Sequence, residues 1–547
     1  MAMARGFETH ARTVSVLTLL SRVTGLARDA ALSRVFGVGA VTDAFAFAFM
    51  VPNLFRRLFG EGALTSSFLP VYSKLEASDP AIATHVARLV LSRIAIFLSV
   101  VCLFGEGVLL AAWPSSGIAS ALLSAKLVAI LLPYMPLVCL VALIGAILQV
   151  HGRFGPTAAA PVILNLAIVV SAVALAPPTA GWIGLTALPP SAHIVWVAAS
   201  VLVAGVLQLL WSLLALRAIR ARESLLLPVG GDESARMHFR SVIVQAVPMA
   251  LGLGVLQVNT FVDGLIASYP TIIGPTIAGF DYPLDEGAMA SLSFAQRLYE
   301  FPLGVFGISV ATAIFPQLAR ESNDLAAFRS SIAKALKLVA FIGVPASIGL
   351  MLVRTPLTAV VFQGESFTAE DTARVAMILL AYAPAIWAYS ANHLLTRAFY
   401  ARGESMTPVK VAAAMVVLNF ILNITLIWTP LRTAGLALST ALCAALQMAI
   451  LTRMLANRIG TVLTPEVRSS WRCTALCAAM MALCLGILLR FWPQAITWSG
   501  HALQLAVSVV MGGGVFLLTA RLMRMPELTW ALGQRGQSGD RGPSQSS

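Results

Sequence analysis

Four charged residues, Arg22, Arg28, Asp29 and Arg34, interrupt the first long apolar stretch of the chain, and Asp43, Arg56, Arg57 and Glu61 follow in the second. Arg297 and Glu300 lie in a similar stretch of the second half. These residue types carry no obvious covalent chemistry. The sequence has no Cys-x-x-Cys and no His-Glu-x-x-His, and Gly37-Val-Gly39 lacks the Gly-Lys-Ser/Thr of a phosphate-cradling loop. Arginine offers anion recognition: its planar fork keeps its charge and meets phosphate oxygens two at a time. Six arginines against four acids leave this set positive, so the implied ligand is an anion, above all one bearing phosphate. A cation or drug exporter would instead need unpaired acids at membrane depth.

Helix geometry sorts the set. Arg22 and Asp29 are seven apart and share a face, which predicts a common hydrogen-bond network, while Arg28 shares a face with Ser21. Arg57 and Glu61 form an i,i+4 pair and Arg297 and Glu300 an i,i+3 pair, and both pairs can meet. Arg56 points about 100° away from Arg57, leaving it no acid on its own helix. An arginine at the bilayer centre costs roughly 2.5–3.5 kcal/mol. Four of them cost on the order of 10 kcal/mol, as much as a whole domain's stability. They must face a wet cavity or one another. Structural ion pairing is the plainer account, weightiest for Arg57–Glu61 and Asp43 and weakest for Arg28, Arg56 and Arg297. Arg34 fits an outer interface equally well.

The elements that must position these residues are membrane spans. The 547-residue chain is 58% hydrophobic and 11% charged, with a mean hydropathy of +0.85. That composition cannot supply the surface of a soluble protein of this length. Its continuous apolar runs of bilayer-crossing length argue for helices, and their lack of alternation argues against a β-barrel. Fourteen helices are expected, from 13–37 and 41–72 through 470–491 and 499–523. The first is expected as a retained span rather than a signal peptide. Basic residues gather in alternate loops, such as Arg217/Arg220/Arg222/Arg236/Arg240 and Arg453/Arg458/Arg468/Arg472, which places both termini in the cytoplasm. The formal charge of +13 therefore records topology, not nucleic-acid binding. The six cysteines (102, 139, 443, 473, 477, 484) read as small apolar residues at helix contacts rather than as a metal site.

The chain repeats itself. "LLPYMP" (131–136) recurs as "LLAYAP" (379–384), and Val51-Pro52 as Phe301-Pro302. A basic, Gly-containing loop then leads in each half to a helix carrying Asn165 or Asn419. The expected fold is an all-α integral membrane protein of 14 transmembrane helices. Two six-helix bundles are related by a pseudo-twofold along the membrane normal, with two C-terminal helices added. Its parts are an N-terminal lobe (1–225), a C-terminal lobe (226–460), a pair of helices (461–524) and a disordered cytoplasmic tail (525–547). Two packed bundles suit an alternating-access transporter, and a channel or membrane scaffold is the plainer alternative.

The stretch "SRVTGLARDAALSRVFGVGAVTDAFAFAFMVPNLFRRLFGEGALTSSFLPVY" (21–72) resembles the opening of the MurJ (MviN) family. These are lipid II flippases of peptidoglycan synthesis, within the multidrug/oligosaccharidyl-lipid/polysaccharide exporter superfamily. "FAQRLYEFPLGVFGISVATAIFP" (294–316) and "FYARGESMTPVKVA" (399–412) extend the resemblance. It implies a transporter, not an enzyme, in the bacterial inner membrane, working as a monomer on undecaprenyl-pyrophosphate-linked disaccharide-pentapeptide. The family's essential cavity arginines fall on Arg22, Arg28, Arg56 and Arg297. Positions of supporting weight fall on Ser21, Asp43, Glu61 and Glu300, and Asp29 and Arg57 join them by helix geometry. The family's hydrophobic groove for the lipid tail falls on the last two helices. Two departures stand out. Gln296 replaces an acid often found before the eighth-helix arginine, and "FQGESF" (362–367) is an atypical version of a Gly-containing outer loop. No cofactor is implied, and coupling to Na⁺ or H⁺ is left open. Membrane potential offers one drive, at about 2.3 kcal/mol per charge per 100 mV. A flippase for another polyprenyl-linked glycan and a cation-coupled multidrug exporter are the alternatives.

Overall fold

The computed structural model describes residues 2–60, 62–113, 118–182, 186–220, 232–304, 308–493 and 495–531. Glu61, the linker residues 221–231 and the tail beyond 531 lie outside the described residues. Helices α1 (Ala2–Phe36), α2 (Ala40–Phe55), α3 (Ala63–Ser78), α4 (Pro80–Ala111), α5 (Ala119–Leu131), α6 (Tyr134–Val150), α7 (Gly155–Ala174), α8 (Pro177–Trp182) and α9 (Pro190–Arg220) lead to the long α10 (Asp232–Ile272). A two-stranded hairpin follows, β1 (Thr276–Ile277) with β2 (Phe280–Asp281). Then come α11 (Ala288–Pro302), α12 (Ile308–Arg320), α13 (Leu325–Phe362), α14 (Ala369–Tyr382), α15 (Ile386–Ala401) and α16 (Met406–Leu426). The last are α17 (Thr433–Ile459), α18 (Pro465–Phe491), α19 (Trp498–Leu522) and the short α20 (Pro526–Ala531).

A chain this apolar in lipid must satisfy every backbone N–H and C=O internally, and the helix does so within one segment. Where a helix begins outside lipid, side chains take over: the Asp79 carboxylate accepts from Ala81 N and Ile82 N at 3.1 Å each to cap α4. Ten stretches of the described residues are long and apolar enough to cross a membrane: α4, α5–α6, α7, α9, α13, α14–α15, α16, α17, α18 and α19. The other expected spans are α1, α2–α3, α10 and α11–α12. Charge interrupts α1, and two of the others contain residues outside the described set, residue 61 and residues 305–307. On α4 and α19, Leu103, Phe104, Val509 and Val510 stand exposed, as side chains that face lipid do.

Irregular backbone follows the repeated motifs. Val51-Pro52 precedes a π-helical stretch, Arg56–Gly60, and Phe301-Pro302 precedes π-type backbone at 303–304. A helix-internal proline removes one ladder donor and displaces the carbonyl one turn back, which loosens the helix locally. "LLPYMP" separates α5 from α6, and "LLAYAP" ends α14 in a single 3₁₀ turn, Ala383–Ala385, before α15.

Two compact units organise the contacts. The first comprises Met1–Phe294, Val361–Thr372 and Asn423–Thr433. In it α1 packs on α7, α7 and α6 pack on α9, and α10 lies against α2, α3 and α4. Its apolar core runs from Leu32 through Phe68, Tyr134 and Ile147 to Ala246. The second comprises Ala295–Val360, Ala373–Leu422 and Ala434–Ser547, with α12 on α15 and α18 on α19. Its cores gather around Phe328, Leu395 and Phe399, and around Phe341, Met481 and Phe516. The tail, expected to be disordered from residue 525, is helical at Pro526–Ala531. Glu527 is buried there and accepts from Ser470 Oγ at 2.7 Å, a fixed partner that the polar composition of the segment does not disclose.

Candidate functional site

In the first unit the site is built on α1. The Arg28 guanidinium donates through Nε and Nη2 to Asp29 Oδ1 at 2.9 and 2.7 Å, and through Nη1 to Asn165 Oδ1 on α7 at 3.2 Å. Asn165 in turn donates to Ser21 O and Thr24 Oγ1, both at 3.3 Å. Both charged side chains are nearly enclosed, 12% and 10% exposed, and the Arg28 carbon sits 5.8 Å from the centre of the Phe49 ring on α2. This corrects the expected pairing. Arg22, which shares a face with Asp29, is exposed, and Asp29 is taken by its neighbour Arg28. Adjacent helical residues do not face each other, but the long arginine stem carries its fork back around the helix to the short Asp29 side chain. Ser21 enters through its backbone carbonyl.

On the second span, Arg56 and Arg57 open the π-helical stretch. Arg56 is half-buried and donates through Nε to Asn53 Oδ1 at 3.2 Å. Arg57 is exposed, and the expected Arg57–Glu61 pair involves a residue outside the described set. Asp43 does not line a cavity. It is completely buried and accepts from Gly287 N (2.6 Å), Ala290 N (2.7 Å) and Thr271 Oγ1 (3.0 Å). Those two amides open α11, so Asp43 caps from α2 the helix that carries Arg297.

In the second unit Arg297 donates through Nη1 to Glu300 Oε2 at 3.4 Å, the i,i+3 contact that the spacing predicts. Gln296 Nε2 holds the other carboxylate oxygen at 3.0 Å. The residue that departs from the family's acid therefore orients Glu300. Arg297 is 42% exposed.

The atypical loop 362–367 docks onto the end of α1. Ser33 Oγ donates to Phe362 O at 3.2 Å, and Ser366 Oγ to Val35 O at 2.9 Å. Gly37 leaves α1 with φ 66°, and the Ser366 carbonyl lies where a Cβ would be, so only glycine fits.

Charged positions inside expected spans but outside the expected site set include Asp263 and Arg397. Asp263 on α10 accepts from Asn423 Nδ2 at 2.5 Å and from Asn259 Nδ2 at 3.3 Å. In the second unit, Arg397 on α15 donates to Ala311 O at 3.2 Å. Both lie inside expected spans, and the cost of burying a charge was the signal available for each.

Residues 32–507 match the family model described as "Lipid II flippase MurJ". That interval includes Arg56 and Arg297 and begins after Arg28. A probable lipid II flippase MurJ of Vibrio cholerae serotype O1 is 32% identical over 461 residues, 80% of this chain and 81% of that protein. The lipid II flippase MurJ of Burkholderia cenocepacia is 30% identical over 458 residues, covering 80% and 82%. Among solved structures, a lipid II flippase MurJ in an inward closed conformation aligns with a TM-score of 0.72 at 24% identity, over 95% of this chain and 99% of that one. An inward-facing multidrug resistance MATE family transporter of the MOP superfamily aligns at 0.62 and 14%, over 83% and 98%. The shared fold is an all-helical, multi-span membrane architecture.

Proposed function

This chain belongs to the MurJ lipid II flippase family, and from that premise we propose how its arginines handle the substrate. It is a transporter that turns lipid II from the inner to the outer leaflet. The pyrophosphate is bound by Arg28, Arg56 and Arg297, with Arg22 as an exposed first contact. Ser21, Asp29, Asp43, Arg57, Glu61 and Glu300 support them. The observation that carries this reading is the nearly enclosed Arg28 guanidinium, aimed by Asp29 and Asn165 at 2.7–3.2 Å. Such a fork meets an incoming phosphate without first being ordered, which lowers the entropic cost of binding. No bond is made or broken in the substrate; the chemistry is electrostatic recognition followed by release.

Fourteen spans with both termini in the cytoplasm remain our reading of the topology. With the six-residue α8 and α20 set aside, joining α2–α3, α5–α6, α11–α12 and α14–α15 gives fourteen rods, and π-type backbone after both Val51-Pro52 and Phe301-Pro302 supports a duplicated six-helix plan. Residues 1–225 and 226–460 are then the lobes that alternate, and the helices within 461–524 hold the polyprenyl tail. The test is depletion of the protein with lipid II accessibility read at the outer face, complemented by Arg28→Ala, Arg56→Ala or Arg297→Ala. Loss of accessible lipid II on depletion, restored by the parent chain and by none of the three variants, is the expected result. Unchanged flipping in all three variants would sink the arginine assignment. Loss of a different polyprenyl-linked glycan would replace the substrate.

A further inference from the structure

Between α10 and α11 the chain does not cross straight over. Residues 273–287 fold back as the β1–β2 hairpin, in which Thr276 pairs with Asp281 and Ile277 with Phe280. Ala278 and Gly279 close the turn with φ of 49° and 86°, the left-handed pair that a two-residue hairpin turn requires. Tyr282 donates to Ile266 O at 2.9 Å. That carbonyl lies six residues before the end of α10, roughly 9 Å down the axis at 1.5 Å per residue. Tyr269 donates to Thr276 O at 3.2 Å, and the two tyrosine rings stack at 4.3 Å. Burial, then the neighbouring Tyr269, pushes the Tyr282 phenol above its ordinary value, so it stays a donor. These bonds lay the hairpin alongside the last turns of α10.

What the hairpin presents there is apolar. Phe280 is 70% exposed and Ile273 56%, with Ile277 beside them. Asp285 is paired with Arg432 at 3.1 Å, on the loop after α16 that exposes Trp428 and Leu431. Segment 273–287 has three acids and no lysine or arginine, in keeping with the face opposite the basic loops. Exposed apolar area costs about 25 cal/mol per Å² in water, and aromatic rings concentrate at the headgroup level of membranes. Successive strand residues point to opposite sides, so Phe280 and Asp281 face different surroundings.

We propose that this hairpin, clipped by Asp285–Arg432 to the loop after α16, is an interfacial anchor that inserts Phe280, Ile277 and Trp428 into the headgroup–acyl boundary of the outer leaflet. It rests on the orientation proposed above. The occupant is lipid, because Trp428 continues the exposed apolar stripe of α16 (Phe420, Ile421, Ile424), a helix long and apolar enough to cross a membrane, and the Asp285–Arg432 pair sets the hairpin beside it. The anchor steadies the segment that leads into α11, and hence the start of the helix bearing Arg297.

The test uses the full chain with its six native cysteines replaced and one nitroxide label at residue 280, 281 or 428, in phosphatidylethanolamine/phosphatidylglycerol proteoliposomes. Expected are labels at 280 and 428 that collide with oxygen more than with a water-soluble nickel chelate, and the reverse at 281. Water-like behaviour at 280 in vesicles whose labelled protein still flips lipid II overturns the anchor alone. Protection of 280 that appears only when other membrane proteins are added overturns it in favour of a protein partner. Failure of an impermeant thiol reagent on the outer side of cells to modify Cys at 281 overturns the orientation, and the anchor's leaflet with it.

Discussion

Arg28 and Arg297 are the same side chain on two helices, each beside a carboxylate, yet they are held differently. Arg28 gives two donors to Asp29 at 2.7 and 2.9 Å and a third to Asn165, with 12% of its side chain exposed. Arg297 reaches Glu300 at 3.4 Å with 42% exposed, while Gln296 holds the same carboxylate at 3.0 Å. The first has been desolvated and aimed before any ligand arrives; the second keeps more of its surface open to solvent. An anion that must be bound and then released is served by both kinds of donor. A fixed donor gives recognition at little ordering cost, and an adaptable one follows the headgroup as its surroundings change.

The largest expected effect comes from the fixed member. Arg28→Ala takes from the buried Asp29 carboxylate the cation 2.7 Å from it. Removing one partner of a buried pair typically costs about 3–5 kcal/mol. The variant should lose lipid II flipping and also unfold at a clearly lower temperature in detergent. Arg297→Ala should cut flipping at least tenfold, which is about 1.4 kcal/mol in the barrier. Its thermal stability should stay near that of the parent, because a half-exposed pair contributes about 0–1 kcal/mol. Equal losses of stability in the two variants would break the comparison.

What could be read from the sequence follows the same division. The cost of charge in lipid located Arg28, Arg56 and Arg297 within spans, and the i,i+3 spacing of Arg297–Glu300 was enough to predict their contact. Face-sharing paired Asp29 with Arg22, because helical period counts backbone directions and ignores how far an arginine stem can bend. Asn165 was noticed only as a repeat marker. Its bonds to Arg28, Ser21 and Thr24 depend on α7 packing against α1, and no local pattern encodes that. The proline motifs were legible as repeat markers within spans expected to run unbroken, but not as the places where the backbone turns π-helical, as at Arg56. Asp43 was placed by its cost as a charge in a span. Its use as a cap for α11 needed the distant Gly287 and Ala290 amides.

An intermediate effect is expected at Asn165. Asn165→Ala removes the acceptor for Arg28 Nη1 and two donors that tie α7 to α1. With a net worth of about 1 kcal/mol per hydrogen bond, stability should fall by roughly 1–3 kcal/mol. Flipping should drop several-fold without being abolished, since Asp29 still holds the guanidinium. Complete loss of flipping at normal stability would mean that Asn165 touches the substrate itself, and the fixed site would be larger than α1 alone.

The smallest effect should arise at Gln296, where the comparison is sharpest. In the parent chain the amide competes with Arg297 for Glu300 and keeps the arginine from closing on its acid. Gln296→Ala removes that competitor, so Glu300 can turn both oxygens toward Arg297 and make it more like Arg28. A partly exposed pair gains at most about 1 kcal/mol from this, which corresponds to roughly a two- to fivefold slower flipping rate. Adding Glu300→Gln should restore the rate, because a neutral amide no longer holds the guanidinium. If Gln296→Ala instead leaves the rate unchanged while Glu300→Gln alone lowers it, Glu300 orients Arg297 rather than restraining it. The adaptable donor would then be as fixed in its working state as Arg28.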